Sequence, residues 1–339
     1  MNDIDNFKNA LQSLTTLKQI DDYGMFQMTY IGDYGFDEFL KVGARDDDEI
    51  GAYIMKHLLT DIPINYKSVP GGGCTVFVTR NALDEIIFCR NYDFMYNNLS
   101  YSPSLQLFTK PDNGYASVST VNLMFEGYSE DNLPTQGLYL NSFPTLSSPY
   151  MPMDGMNKKG LAIAILAVPE AELQYDESKI TLNITTALRL VLDKASTVDE
   201  AIELLRQYNM YISMNICCQF LIADVNGDSA IINYYKGELK VTKVDTAYQI
   251  ASNFIPADGA NIGMGANEFE RYDTIKAGIE NNGGVLSEEQ AIDLLCEVGA
   301  VFDDKIYLQW SVIYNLTTLK GTIFANRKRD SLIDFQLAL

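Results

Sequence analysis

The chain has 339 residues, 47% of them apolar and 11% aromatic, a composition that fills a sizeable core and excludes general disorder. Forty-five acidic against twenty-five basic side chains leave a formal net charge of −20, which repels phosphate backbones and argues against nucleic acid as a partner. No stretch reaches the roughly eighteen apolar residues of a membrane span, and no basic-then-apolar segment opens the chain, so a cytoplasmic protein is expected.

Residues 1–73 are expected to be mainly helical. Apolar residues recur at helical spacing over Asn6–Leu17 and again over Glu49–Leu59, after the acidic cluster Asp46–Asp48. This segment ends at Val69-Pro70-Gly71-Gly72-Gly73, where one proline and three glycines interrupt any regular element. From Cys74 the chain alternates in strand fashion. CTVFVTR, a turn at Asn81–Glu85 and IIFCRNYDF predict a β-hairpin that brings Cys74 near Arg90–Asp93.

Further strands are predicted at Gly160–Val168, Ile216–Asp224, Ala230–Tyr235 and Glu238–Val244, with Asn226-Gly227 as a hairpin turn. Helices are expected at Leu182–Ala195, from the capping box Thr197-x-x-Glu200 through Tyr208, and from Ser287-x-x-Gln290 through Val298. Strands return at Trp310–Leu316 and Gly321–Asn326. This order is α+β rather than the strand–helix alternation of a parallel sheet.

Histidine count narrows the chemistry, because His57 is the only one in the chain. A multi-histidine metal centre is thereby excluded, and five scattered cysteines outside CxxC pairs argue against a disulfide framework or a thiolate zinc site. No metal and no cofactor is expected. Asp224-x-Asn226-Gly227-Asp228 has the look of a calcium loop but carries Tyr235 where the loop needs glutamate, so a turn is the simpler reading. Cys89, Cys217, Cys218 and Cys296 lie inside apolar runs and are expected in the core.

Cys74 is different, because it follows three glycines at the head of a strand. If the bond before it is cut, one residue carries both a thiol and an α-amine, whose reference pKa of ~7.7–8.0 suits a base at neutral pH. No histidine is then required.

The run Cys74-Thr75-Val76-Phe77, followed sixteen residues after the cysteine by Arg90-Asn91-Tyr92-Asp93-Phe94, resembles the choloylglycine hydrolase family. These are cysteine-type N-terminal nucleophile amidases that include bile salt hydrolases, penicillin V acylases and the acid ceramidase and N-acylethanolamine hydrolase relatives. Gly155–Leu161, Ser196–Ala201, Ala251-Ser252-Asn253 and Gln309–Tyr314 follow in the family's order. The resemblance implies a four-layer αββα sandwich over residues 74–339, preceded by a leader, residues 1–73, that the protein removes or nicks between Gly73 and Cys74.

It also implies roles. Cys74 would be the nucleophile, Arg90 would favour its thiolate, Asp93 would orient the freed amine, and Asn253 would donate to the oxyanion. Arg271 is the counterpart of a late active-site arginine, although the loop before it is shorter here. Ala164–Pro169 lacks the second oxyanion asparagine of bile salt hydrolases, which leaves Asn253 and a backbone N–H. Tyr92, Phe94 and Tyr96 are expected to line an acyl pocket. The expected partner is a small N-acyl amide, of fatty-acyl or bile-salt type, hydrolysed through a thioester; a homo-oligomer stays open. An acyltransferase using the same thioester and a non-catalytic binding protein on the same scaffold are the alternatives.

Overall fold

Alternation along the strands next to Cys74 sets the layering of the molecule. In this computed structural model, residues 3–58, 72–94, 103–137, 139–257, 260–265, 267–299, 301–302, 305–306 and 308–338 are described. Val76, Val78 and Phe88 point into one apolar cluster, whereas Phe77, Ile87 and Cys89 point into another. A strand whose two faces meet two cores must lie between layers.

The first 73 residues give α1 (Asp3–Thr15), β1 (Lys18–Gln19), β2 (Met25–Thr29), α2 (Phe36–Val42) and α3 (Asp47–His57). The two strands were not foreseen in the sequence. Next come the hairpin β3 (Gly72–Arg80) and β4 (Ile86–Phe94), then β5 (Ser104–Thr109), β6 (Ser117–Asn122), β7 (Pro152–Asn157) and β8 (Leu161–Ala167). β9 (Thr181–Asn183), α4 (Ile184–Lys194), α5 (Val198–Leu205) and β10 (Asn209–Tyr211) follow. The expected helix at Leu182 starts two residues later because β9 pairs in parallel with β10, and Asn183 then caps α4. α5 stops at Leu205 rather than Tyr208, since Gln207 and Tyr208 donate to the carbonyls three residues back.

The remainder contains β11 (Cys218–Asp224), β12 (Ser229–Tyr235), β13 (Glu238–Thr242), β14 (Gln249–Ala251), β15 (Phe254–Ala257), β16 (Ala260–Gly263), α6 (Glu268–Asn281) and α7 (Glu288–Glu297). It closes with β17 (Val301–Phe302), β18 (Lys305–Ile306), β19 (Leu308–Asn315), β20 (Lys320–Ala325) and β21 (Ile333–Gln336). Asn226-Gly227 makes the turn between β11 and β12, with Gly227 at φ 90°.

Two large sheets result. One has nine strands in the order β1-β2-β5-β6-β7-β8-β11-β12-β13, the other six in the order β14-β3-β4-β19-β20-β21. The larger core is shared by both sheets and by the leader, while the smaller one joins the six-stranded sheet to α6 and α7. α4 and α5 pack on the nine-stranded sheet. The layers therefore run helices, sheet, sheet, helices, the α+β arrangement expected. Among the described residues no helix is long and apolar enough to cross a membrane.

The segment before Cys74 is built into this framework. β2 pairs in parallel with β5, and Phe26, Met28, Phe36, Phe39 and Ile54 are buried in the main core. Tyr34 Oη donates to the carboxylate of Asp193 on α4 at 2.7 Å.

Candidate active site

The hairpin places the site. Antiparallel register puts Gly73 opposite Asp93 and Cys74 opposite Tyr92, so the end of β4 delivers its polar residues beside the cysteine as the sequence spacing implied. Neighbouring β19 pairs with β4 from its other side and sets Val312 against Arg90.

Arg90 is fully buried. Its Nη2 lies 3.6 Å from Cys74 Sγ and 2.9 Å from the Ile165 carbonyl, its Nη1 donates to the Met153 carbonyl at 2.9 Å, and its Nε is 3.1 Å from the Asp154 carboxylate. Desolvation is the largest single influence and works against this charge, but Asp154, Cys74, Tyr92 and Tyr314 together outweigh it and hold the guanidinium above its ordinary value. Asp154 is fixed in turn by Trp310 Nε1 at 3.0 Å and Tyr314 Oη at 2.7 Å. Sequence reading missed Asp154, although it immediately precedes the Gly155-Met156-Asn157 segment that carried part of the resemblance.

Arg271, from α6, also reaches Cys74. Its Nη1 donates to the Cys74 carbonyl at 2.7 Å and to Thr75 Oγ1 at 2.6 Å, and its Nη2 donates to Asn253 Oδ1 at 2.8 Å. Asn253 Oδ1 also accepts from the Cys74 peptide N–H at 2.6 Å, while Asn253 Nδ2 donates to the Ala167 carbonyl at 2.8 Å. Arg271 thus stands beside the cysteine despite the shortened loop. β8, which lacks the second asparagine, offers its Ile165 and Ala167 carbonyls here instead.

Asp93 is fully buried at the same end of β4. Burial pushes the Cys74 thiol up; Arg90 opposes this shift and Asp93 adds to it. Arg90 favours the thiolate, the direction expected of it, but burial outweighs it and the net direction is upward. Removing a charged sulfur from water costs more than one guanidinium at 3.6 Å returns. A nearby base would therefore be needed to take the proton.

Cys74 opens on a cavity of about 440 Å³, within the size range of small-ligand sites. Tyr92 and Phe94 line it, stacked on one another with ring centroids 5.7 Å apart. Tyr96 lies outside the described residues. Cys217 and Cys218 also line the cavity and are only partly buried; Cys218 packs against the main core, but neither is enclosed as expected. Cys218 opens β11 opposite Ala167, and the Cys217 carbonyl just before it accepts from the Val168 N–H at 2.8 Å. Cys89 is buried as expected, and Cys296 is partly buried. His57 lies on α3 in the leader, stacked on Tyr53 at 4.3 Å.

Comparison with known proteins agrees with this geometry. The family described as linear amide C–N hydrolases, choloylglycine hydrolase family, matches residues 74–253, starting at the cysteine. Penicillin V acylase of Pectobacterium atrosepticum is 33% identical over 113 residues, a match covering 30% of this chain and 29% of the relative. Among solved structures, a variant of the conjugated bile acid hydrolase from Clostridium perfringens superposes with a TM-score of 0.54 at 16% identity, covering 78% of this chain and 92% of that one. Penicillin V acylase from Agrobacterium tumefaciens gives 0.51 at 16% identity, over 78% and 98% of the two chains. These distant structures share the N-terminal nucleophile hydrolase fold. Because the family match covers just over half of the sequence and begins at Cys74, the chain belongs to the choloylglycine hydrolase family of linear amide C–N hydrolases.

Proposed function

We propose that this protein is an amidase precursor that cuts itself between Gly73 and Cys74 and then hydrolyses small N-acyl amides through a thioester on Cys74. The observation that carries the reading is Cys74 itself. Its sulfur lies 3.6 Å from Arg90 Nη2 at the wall of an apolar cavity, and its peptide N–H is 2.6 Å from Asn253 Oδ1.

In the first reaction the Cys74 thiol adds to the Gly73 carbonyl carbon, and the C–N bond to Cys74 breaks as its nitrogen gains a proton. The resulting thioester is hydrolysed by water to a Gly73 carboxylate and a free Cys74 thiol and amine. In the second, the amine takes the thiol proton as the sulfur attacks the substrate carbonyl. It then returns that proton to the leaving amine, and water releases the acid from sulfur. Asp93 orients the amine and Arg90 stabilises the developing thiolate. Arg271 holds the Cys74 backbone and Asn253 in place, and the second N–H of Asn253 Nδ2 serves the oxyanion.

The two fragments stay together in this reading. Each large apolar side chain that the leader buries contributes roughly 1.5–3 kcal/mol, so separating five of them would cost on the order of ten kcal/mol. Substrates are amides with an apolar acyl group and a small amine, because Tyr92, Phe94 and Met153 make the cavity walls apolar.

Mass spectrometry of purified protein tests the proposal. Two fragments that co-elute under native conditions and separate on denaturation are expected, with Cys74 at the new terminus. Cys74→Ala is expected to remain one chain with no amidase activity; activity in that variant refutes the reading.

A further inference from the structure

A second cavity of about 300 Å³ adjoins the one at Cys74, and leader residues Asp47 and Ile50 of α3 line its far side. Phe125, Met153, Thr185, Ser213, Met214 and Asn215 line both cavities. What divides them is therefore a layer one side chain thick.

Part of that layer is a strained turn. Met214 has φ 52° and Asn215 φ 57°, two successive non-glycine residues in the left-handed region, each costing about 1–3 kcal/mol unless its surroundings hold it. Here a single carboxylate of the leader holds it. Asp47 Oδ1 accepts from Ser213 Oγ at 2.5 Å and from Tyr211 Oη at 3.2 Å, and Asp47 Oδ2 accepts from the Met214 N–H at 2.9 Å. Methionine is a suitable divider, being unbranched, apolar and able to repack around a chain that passes it.

We infer that the acyl chain of the substrate runs from Cys74 past Met214 into the second cavity. The leader then determines how long a chain is accepted, with Ile50 as the far wall and Asp47 as the residue that positions the Met214 turn. The inference rests on Cys74 accepting the acyl group. It adds that the leader is part of the specificity pocket of the processed enzyme.

The test compares butanoyl and dodecanoyl amides of one fluorogenic amine, using the full-length protein after processing. Ile50→Phe is expected to lower the dodecanoyl-to-butanoyl ratio of kcat/KM by about tenfold or more, the scale for excluding one or more methylenes. Ile50→Ala is expected to raise it. Asp47→Ala should raise KM for the long substrate more than it lowers kcat, and Asp47→Asn, which keeps one acceptor, should recover part of the loss. Ratios within about twofold of the unaltered protein in both Ile50 variants, with turnover intact, overturn this inference alone. If Ile50→Phe does not fold, Ile50→Ala decides. Hydrolysis of both amides by Cys74→Ala, or of neither by the unaltered protein, overturns the reading of Cys74 and this inference with it.

Discussion

Arg189 and Arg90 are both fully buried and ion-paired to carboxylates, and they differ in what surrounds them. Arg189 on α4 is enclosed. It donates to Asp193, Ser117 and Ser119 side chains and to the Pro149 carbonyl, and Asp193 accepts from leader Tyr34. Arg90 has a similar anchor in Asp154, but its Nη2 also faces the sulfur of Cys74 next to a cavity. Burial and pairing alone thus mark a structural joint as readily as a reactive site. A thiol and open space beside the charge make the difference.

The contrast can be broken by removing each cation. Arg90→Met and Arg189→Met both leave a buried carboxylate without its cation, so each is expected to lose about 3–5 kcal/mol of stability in urea denaturation. Only Arg90→Met is expected to lower turnover per folded molecule, by roughly two orders of magnitude, the scale of losing one preorganised electrostatic partner. Equal turnover losses in the two variants would erase the distinction.

A smaller change sharpens the structural side. Tyr34→Phe removes the hydroxyl that bonds Asp193 and should cost about 1.5–3 kcal/mol, the range for a hydrogen bond to a charged group. In protein cut before Cys74 as proposed, it should also speed loss of the N-terminal fragment, which native gel filtration would detect.

Glu126 supplies a third case, a buried carboxyl met by the Ser148 hydroxyl at 2.6 Å instead of a guanidinium. Burial pushes its pKa up to about 8. Since this folded value lies above the unfolded one, the stabilising contribution is complete below about pH 4.5 and is lost as pH rises through about 8. Within that window the slope approaches ~1.4 kcal/mol per pH unit. Glu126→Gln should flatten it, as urea midpoints measured across the window would show.

Much of the site was legible because it is local. Cys74, Arg90 and Asp93 lie on one hairpin, and alternation with a short turn fixes which residues oppose each other. The caps at Thr197 and Ser287 were legible for the same reason, each being a side chain that bonds a backbone N–H three residues on. Asp154 was not visible, since its role comes from Arg90, Trp310 and Tyr314, which meet it only across the two sheets. Leader strand β2 was hidden likewise. It is a parallel partner of β5, and its residues alternate too little to be told from an apolar helix edge.

From the sequence itself came the family, the α+β class and the cysteine with its two partners on β4. These depend on residue type and short-range spacing, which the chain carries in linear form. Tertiary structure decided that Arg271 reaches the Cys74 carbonyl, that burial raises the thiol, and that the leader joins the sheet and walls a second cavity. Each of those follows from which distant segments exclude water together, and pairing between distant segments is set by packing of the whole core rather than by any local pattern.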